Sequence, residues 1–180
     1  AKLNYAEHVL RHEGAGDPGR VMLHHVSELR PMAAMSWAEV GGAVRKLASR
    51  LRAMGIGPGD RVVAYMPNLP ETVIAMLATT AIGAVWSSGA PEFGAQTVID
   101  RFSQIAPKLV FAVNGYRYGG KDFDRRADLE RILGALPTVE TVVMLDYLPG
   151  AGGIEGTTPW AALFDGPEVP REGFRFTRVD

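Results

Sequence analysis

DRVVAYMPNLPETVIAMLATTAIGAVWSSGAPEFG, residues 60 to 94, decides the fold. Its first part, Arg61 to Met66, is a short apolar run with β-branched and aromatic members, as a strand buried on both faces requires. Asn68 is placed to cap a helix, Pro70 suits its first turn, and Glu71 follows Asn68 in capping-box spacing. Val73, Ile74, Met76, Leu77, Ala78, Ala81 and Ile82 leave that helix almost no polar side, so it is predicted to lie buried between layers. Gly83 releases the chain into a second strand at Val85 and Trp86. Strand, helix and strand in succession predict parallel pairing through a right-handed crossover. The polar stretch Ser87 to Glu92 reads as the turn at that strand's carboxyl end, where open α/β sheets hold their ligands.

Upstream, Ser36-Trp37-Ala38-Glu39 is a capping box that opens the clearest helix. Its apolar face is Trp37, Val40, Val44, Leu47, Leu51 and Met54, with Arg45, Lys46, Arg50 and Arg52 on the other side. Gly41 and Gly42 each cost ~1 kcal/mol relative to Ala inside a helix, and close packing against a neighbour is the expected reason for them. Gly55 to Gly59 superficially suggests a dinucleotide fingerprint, but it joins helix to strand and reads as a turn. Before this helix come a short helix at Leu3 to Arg11, a loop at Gly14 to Gly19, and strands Val21 to Val26 and Ala33 to Met35 paired around Glu28 to Pro31.

Downstream, Val98, Ile99, Phe102 and Ile105 mark a helix ended by Pro107, and Leu109 to Val113 is the next buried strand. Asp124 is the expected cap of a helix with Leu129, Ile132, Leu133 and Leu136 inward and Pro137 as terminator. Thr141 to Leu145 gives a further strand, Leu148 to Gly156 a Gly-rich loop, and Trp160 to Phe164 a short helix. The remainder has no usable periodicity. The fold class is therefore α/β, a mostly parallel sheet flanked by helices, with a small amino-terminal β-hairpin.

Length and composition narrow the function classes. A chain of 180 residues can bury roughly 70% of its unfolded surface. A hydrophobic share of 47% with 21 Gly and 12 Pro fits a turn-rich α/β protein. A net charge of −1 gives no electrostatic footprint for nucleic acid or an anionic membrane. The absence of cysteine excludes disulfides and thiolate metal sites and agrees with a reducing cytoplasm, the expected location. Thr72 to Pro91 is uncharged and approaches the ~20 residues that span a bilayer, but Thr79, Thr80, Gly83, Ser87 and Ser88 interrupt it. A buried helix and strand explain it better than a membrane span.

Gly115, Gly120 and Lys121 match the spacing of a phosphate-binding loop between strand and helix. Asp122 stands where Ser or Thr would bind magnesium, and Tyr116 and Tyr118 crowd a loop that normally wraps phosphate with bare backbone. Two readings remain: a gentler anion site served by Arg117 and Lys121, or a solvated turn with aromatic packing. His8 and His12 have helical ligand spacing but no evident third ligand, and His24 and His25 point to opposite faces of a strand. Ser87 and Ser88 lack nucleophile-elbow glycines and a base partner. No catalytic and no metal-binding residue is assigned.

GDRVVAYMPNLPE followed by GAVWSSGAPEFG resembles the amino-terminal part of the AMP-forming acyl-CoA ligases of the adenylate-forming superfamily. Asp100-Arg101-Phe102, Ile105, Pro107-Lys108 and NGYRYGGKDFDR from Asn114 to Arg125 are similar to the acetoacetate-activating branch more than to the acetate-activating one. The resemblance runs from Leu3 to the end. It implies CoA-binding residues: Arg117 matches an arginine that meets the nucleotide end of CoA, and Lys121 matches its basic companion with a one-residue shift. Pro91 and Glu92 occupy a loop that lines the CoA tunnel, where the acetate-activating relatives have glycines. It also implies ATP and Mg²⁺ for the parent enzyme, bound downstream of this chain, with acetoacetate and CoA as further substrates. The superfamily's Ser/Thr/Gly-rich loop ending in Lys, aromatic-Thr-Glu motif, ribose-binding Asp and late catalytic Lys do not occur in the sequence. The expectation is therefore that residues 1–180 are the amino-terminal part of the large domain, inactive without the carboxyl-terminal portion of the same enzyme. The rival expectations are a stand-alone α/β domain that binds CoA or another anion without turnover, and a structural remnant.

Overall fold

Asn4 organises the start of the chain. In the computed structural model, which describes residues 2–17 and 19–180, its side-chain oxygen accepts the Glu7 N–H at 3.0 Å and caps α1, Tyr5–Leu10. A 3-10 turn at Arg11–Gly14 follows; of the loop expected at Gly14 to Gly19, Pro18 lies outside the described residues. Strands β1, Val21–Ser27, and β2, Arg30–Ser36, pair antiparallel as the sequence predicts. The Ser27 hydroxyl accepts the N–H of Arg30 at 3.1 Å and closes their turn.

The capping box forms as read. Ser36 Oγ accepts the Glu39 N–H at 3.2 Å, and the Ser36 N–H donates to Glu39 Oε2 at 2.7 Å, opening α2, Trp37–Ala53. Val40, Val44, Leu47, Ala48 and Leu51 are buried along one stripe. Arg45 departs from the expectation of a solvated face. It is 8% exposed, and it donates to Glu13 Oε2 at 2.6 Å and to the Val169 carbonyl at 2.9 Å, so its charge is paired inside the fold. Gly41 makes room for that carboxylate, since a Cβ there would stand 2.3 Å from Glu13 Oε2. Gly42 would meet nothing nearer than an Arg45 nitrogen at 4.0 Å, so close packing accounts for only the first glycine.

Helix α3, Pro70–Ala81, starts one residue later than the Asn68 capping box requires. Proline presets φ for the first helical position, so Leu69 becomes the cap residue and makes no side-chain bond. Glu71 is then too early to reach back, and it takes the Arg30 guanidinium at 2.8 and 3.0 Å. Gly83, with φ +79°, turns the chain after the helix. The aperiodic end of the chain docks by backbone bonds: Thr177 N–H to the Ala81 carbonyl at 2.8 Å, and Leu3 with Val179 at 3.0 and 2.9 Å. Asn4 Nδ2 donates to the Thr80 and Thr177 carbonyls at 2.7 and 2.8 Å. These elements form one unit: residues 1–59, 69–85 and 163–180.

The second unit, residues 60–68 and 86–162, is built on a five-stranded sheet. Its strands are β3, Arg61–Tyr65; β4, Val85–Gly89; β5, Leu109–Val113; β8, Thr141–Leu145; and β9, Thr158–Pro159, in the order β4-β3-β5-β8-β9. β3 with β5, β5 with β8, and β8 with β9 are parallel. Every residue of β5 is buried, as its unbroken apolar run demands. β4 extends through Ser87 and Ser88 to Gly89, so the predicted turn begins at Ala90 instead. An edge strand can hold polar residues that a central one cannot. Helices α4, Ala95–Phe102, and α5, Arg126–Gly134, supply Val98, Phe102, Leu129 and Ile132 to a core with Val63, Tyr65, Val110, Ala112 and Met144.

The segment from Gly115 to Asp124 is not a loop. It is an antiparallel hairpin of β6, Gly115–Tyr118, and β7, Lys121–Asp124. Because β7 runs to Asp124, α5 starts one residue later than expected and its cap position falls on Arg125; Asp124 Oδ1 accepts the Arg126 N–H at 2.9 Å from the position before the cap.

Candidate functional site

In the sheet order, β3 is flanked by β4 on one side and β5 on the other, and the chain beyond β5 continues outward to β8. The carboxyl ends of β3 and β5 therefore mark the point where the winding reverses, which is where open α/β sheets open a crevice. A polar side chain stands at the end of each: Tyr65 closes β3, and Asn114 follows β5.

Tyr65 closes β3. Its ring is fully buried, and its hydroxyl lies 3.0 Å from the Pro91 carbonyl and 2.9 Å from the Phe93 carbonyl. One phenolic proton shared between two carbonyls staples the turn after β4 to the end of β3. Burial pushes the Tyr65 phenol up to about 12, with Asp128, Tyr116 and Glu92 adding to the shift against the pull of Arg125. The group stays a neutral donor. In the stapled turn Pro91 is buried and Glu92 exposed, and the Arg101 guanidinium lies 5.3 Å from the centre of the Phe93 ring.

Asn114 follows β5 and is fully buried with every polar atom in use. Its amide donates to Asp146 and to the carbonyls of Leu148 and Gly152, the last two at 3.0 and 3.2 Å. Its oxygen accepts the N–H groups of Tyr147 and Leu148 at 2.9 and 2.8 Å. The Gly-rich loop after β8 is thus moored to the end of β5.

The hairpin rises from the same end. A Cβ at Gly115 would fall 2.5 Å from the Phe123 carbonyl, so only glycine fits there. Gly119 and Gly120, at φ +61° and +72°, make a two-residue turn of the kind that hairpin twist prefers. The spacing of Gly115, Gly120 and Lys121 thus serves strand pairing and offers no cradle of bare amides to phosphate. Tyr116 and Phe123 stack with centroids 5.0 Å apart and planes at 13°. Arg125 lies 5.3 and 5.8 Å from those rings, donates to the Tyr116 hydroxyl at 3.1 Å, and bonds Asp128 at 2.7 Å. Burial opposes its charge, but the bonds to Tyr116 and Asp128 outweigh burial and hold its pKa above the usual arginine value.

Arg117 stands opposite Asp122 and grips it with two bonds, at 2.6 and 3.0 Å. The bond from Arg117 holds the Asp122 carboxyl below its ordinary range. Lys121 stands opposite Tyr118. Side chains alternate along strands, so Arg117 and Lys121 project from opposite faces of the hairpin. The fold brings both to one hairpin and does not bring them to one face. Tyr65, Asn114 and Arg125 organise this end of the sheet, and the sequence reading passed over all three. Asn114 had a signal, since a polar residue directly after five apolar ones in a buried strand has to find partners.

Elsewhere, His8 Nδ1 contacts the Arg11 guanidinium at 3.0 Å, and the rings of His12 and Trp37 lie 5.4 Å apart. Among the described residues no three His, Cys, Asp or Glu side chains gather as metal ligands, and no helix is long and apolar enough to cross a membrane.

A protein-family model described as AMP-binding enzyme matches residues 10–170. Acetoacetyl-coenzyme A synthetase of Rhizobium meliloti (strain 1021) is 43% identical over 168 residues, 92% of this chain and 25% of that protein. Acetoacetyl-CoA synthetase of Rattus norvegicus is 43% identical over 149 residues, 82% of this chain and 22% of that one. Among solved structures, acetoacetyl-CoA synthetase from Streptomyces lividans matches with a TM-score of 0.92 and 44% identity, covering 99% of this chain and 27% of that one. The chain spans about a quarter of the length of the relatives it matches.

Proposed function

This chain belongs to the AMP-binding enzyme family, and we propose that it is the amino-terminal part of the large domain of a cytoplasmic acid–CoA ligase that activates acetoacetate. One observation carries the reading: acetoacetyl-CoA synthetases match nearly the whole chain at 43–44% identity. In the proposed reaction a carboxylate oxygen of acetoacetate attacks the α-phosphorus of ATP and diphosphate leaves. The CoA thiol then attacks the acyl carbonyl of the adenylate and AMP leaves. Mg²⁺ would neutralise the phosphates in the first step.

The residues of this chain serve the second substrate in this reading. Arg117 and Lys121 on the hairpin, and the turn of Pro91 and Glu92 that Tyr65 holds, serve CoA in this reading. Arg117 reaches a phosphate by exchanging one bidentate partner for another, since a guanidinium fork fits phosphate oxygens as it fits the Asp122 carboxylate. The pair it gives up is exposed and screened, so the exchange costs little. Adenylation falls to motifs absent from this sequence, so the 180 residues alone are expected to form no acyl-adenylate. The test is product analysis with the full-length protein, acetoacetate, ATP and CoA. One AMP and one diphosphate should appear per thioester, with no ATP cleavage when acetoacetate is omitted. Release of ADP, or thioester formation without AMP, would overturn the reading.

A further inference from the structure

Within the first unit, α1, the turn after it, α2 and residues 171–176 line a cavity of about 240 Å³. At the ~30 Å³ that a water molecule takes in the liquid, it has room for about eight such groups. That suits a small ligand and excludes a nucleotide.

The most buried cation of the lining is Arg45. It uses Nε on the Val169 carbonyl and Nη1 on Glu13, and its Nη2 has no hydrogen-bond partner among the described residues. A donor left open on a buried guanidinium is costly, and a ligand oxygen would fill it. The carboxylates of the lining are already matched, Glu13 by Arg45 at 2.6 Å and Glu7 by Arg178 at 2.7 and 2.8 Å. Arg11 and Arg171 have no carboxylate partner among the described residues, and the Arg11 side chain meets only His8 Nδ1. The cavity therefore carries an excess of positive charge. Arg171 is placed by a glycine: its guanidinium occupies the space that a Cβ of Gly14 would take.

The rest of the lining has the opposite character. Leu10 is buried, and the Phe174 and Phe176 rings pack edge to face with centroids 5.0 Å apart. Guanidinium forks fit the oxygens of a phosphate, and an apolar wall beside them covers a small apolar body. We propose that this cavity binds a small phosphate monoester, its phosphate on Arg11, Arg45 and Arg171 and its apolar body against Leu10, Phe174 and Phe176. Such a ligand ties residues 171–176 to α1 and α2 and so fixes the docking of residues 163–180. The proposal does not rest on the acid–CoA ligase reading, and none of these residues is among those assigned to CoA.

The test titrates phenyl phosphate and inorganic phosphate into the full-length protein by calorimetry at constant ionic strength. Phenyl phosphate should occupy a site that Arg11→Ala and Arg171→Ala each weaken about tenfold. Both side chains are exposed, so the Tm of these variants without ligand should match the parent. Gly14→Ala keeps every charge and displaces the Arg171 guanidinium, and it should weaken the same site about as much. If the two arginine variants weaken binding and Gly14→Ala does not, a diffuse positive surface is responsible and the proposal fails. Inorganic phosphate should bind about tenfold more weakly than the ester; equal affinities would assign the cavity to the free ion and overturn the ester. Binding unchanged in all three variants lies elsewhere in the protein, and that result, or no binding, overturns the proposal and leaves the acid–CoA ligase reading in place.

Discussion

Two adjacent glycines in α2 should respond to alanine with opposite signs. Gly41→Ala puts a methyl group 2.3 Å from Glu13 Oε2, in a carboxylate already committed to Arg45, and overpacking of this kind costs ~1–3 kcal/mol. Gly42→Ala meets no atom nearer than 4.0 Å and should stabilise by ~0.5–1 kcal/mol through helix propensity. Urea denaturation of the two variants decides it; shifts of the same sign would show that the Glu13 contact does not govern Gly41. The glycine pair was visible in the sequence, but the reason for Gly41 was not. Its partner Glu13 lies outside the helix and far back along the chain, and no local pattern announces a pairing across that distance. The same gap explains Arg45, which helical periodicity puts on the polar side and a distant carboxylate draws inward.

At the scale of elements, what could be read depended on whether the deciding interaction was local. The α2 capping box, the all-apolar β5 and the limits of β8 follow from neighbouring residues, and all three were legible. The hairpin was not. Gly-Gly between two aromatic-bearing runs is a turn signal, but the phosphate-loop spacing and the charges around it drew the reading toward a loop. The staple from β3 to the turn after β4 was illegible for another reason: nothing in VVAY says which carbonyls the tyrosine will find. It is testable by titration. The unfolded phenol ionises near ~10, and the folded one only at about 12. Between those values the native state binds the extra proton, so this stabilisation is complete below the lower value and is lost as pH rises through the upper one. Stability measured from pH 8 to 12 should therefore fall above ~10 more steeply in the parent than in Tyr65→Phe. Equal slopes would mean that the buried phenol is not the linked group.

The molecule as a whole should be sensitive to acid for the converse reason. Glu7, Asp122 and Asp124 are held below their ordinary values chiefly by bonds from Arg178, Arg117 and Arg126, and Glu39 by the Ser36 backbone N–H. Each binds fewer protons folded than unfolded, so its contribution is present above the unfolded pKa and is lost as pH falls through the folded one. Tm should hold from pH 7 to ~5 and decline below ~4, and Asp124→Asn should blunt the decline. A Tm that rises on acidification would contradict these assignments. The α/β class and parallel sheet were legible at this scale because strand and helix periods alternate along the chain. The docking of residues 163–180 was not, because an aperiodic segment held by backbone bonds to α3 and to the start of the chain leaves no pattern. The central claim is that this part of the protein serves CoA and not adenylation, and one measurement addresses it directly. In the full-length protein carrying Arg117→Ala and Lys121→Ala together, acetoacetate-dependent exchange of diphosphate into ATP is compared with thioester formation as CoA is varied. The expected result is unchanged exchange with KM for CoA raised about tenfold or more; a parallel loss of both half-reactions, or an unaltered dependence on CoA, would contradict it.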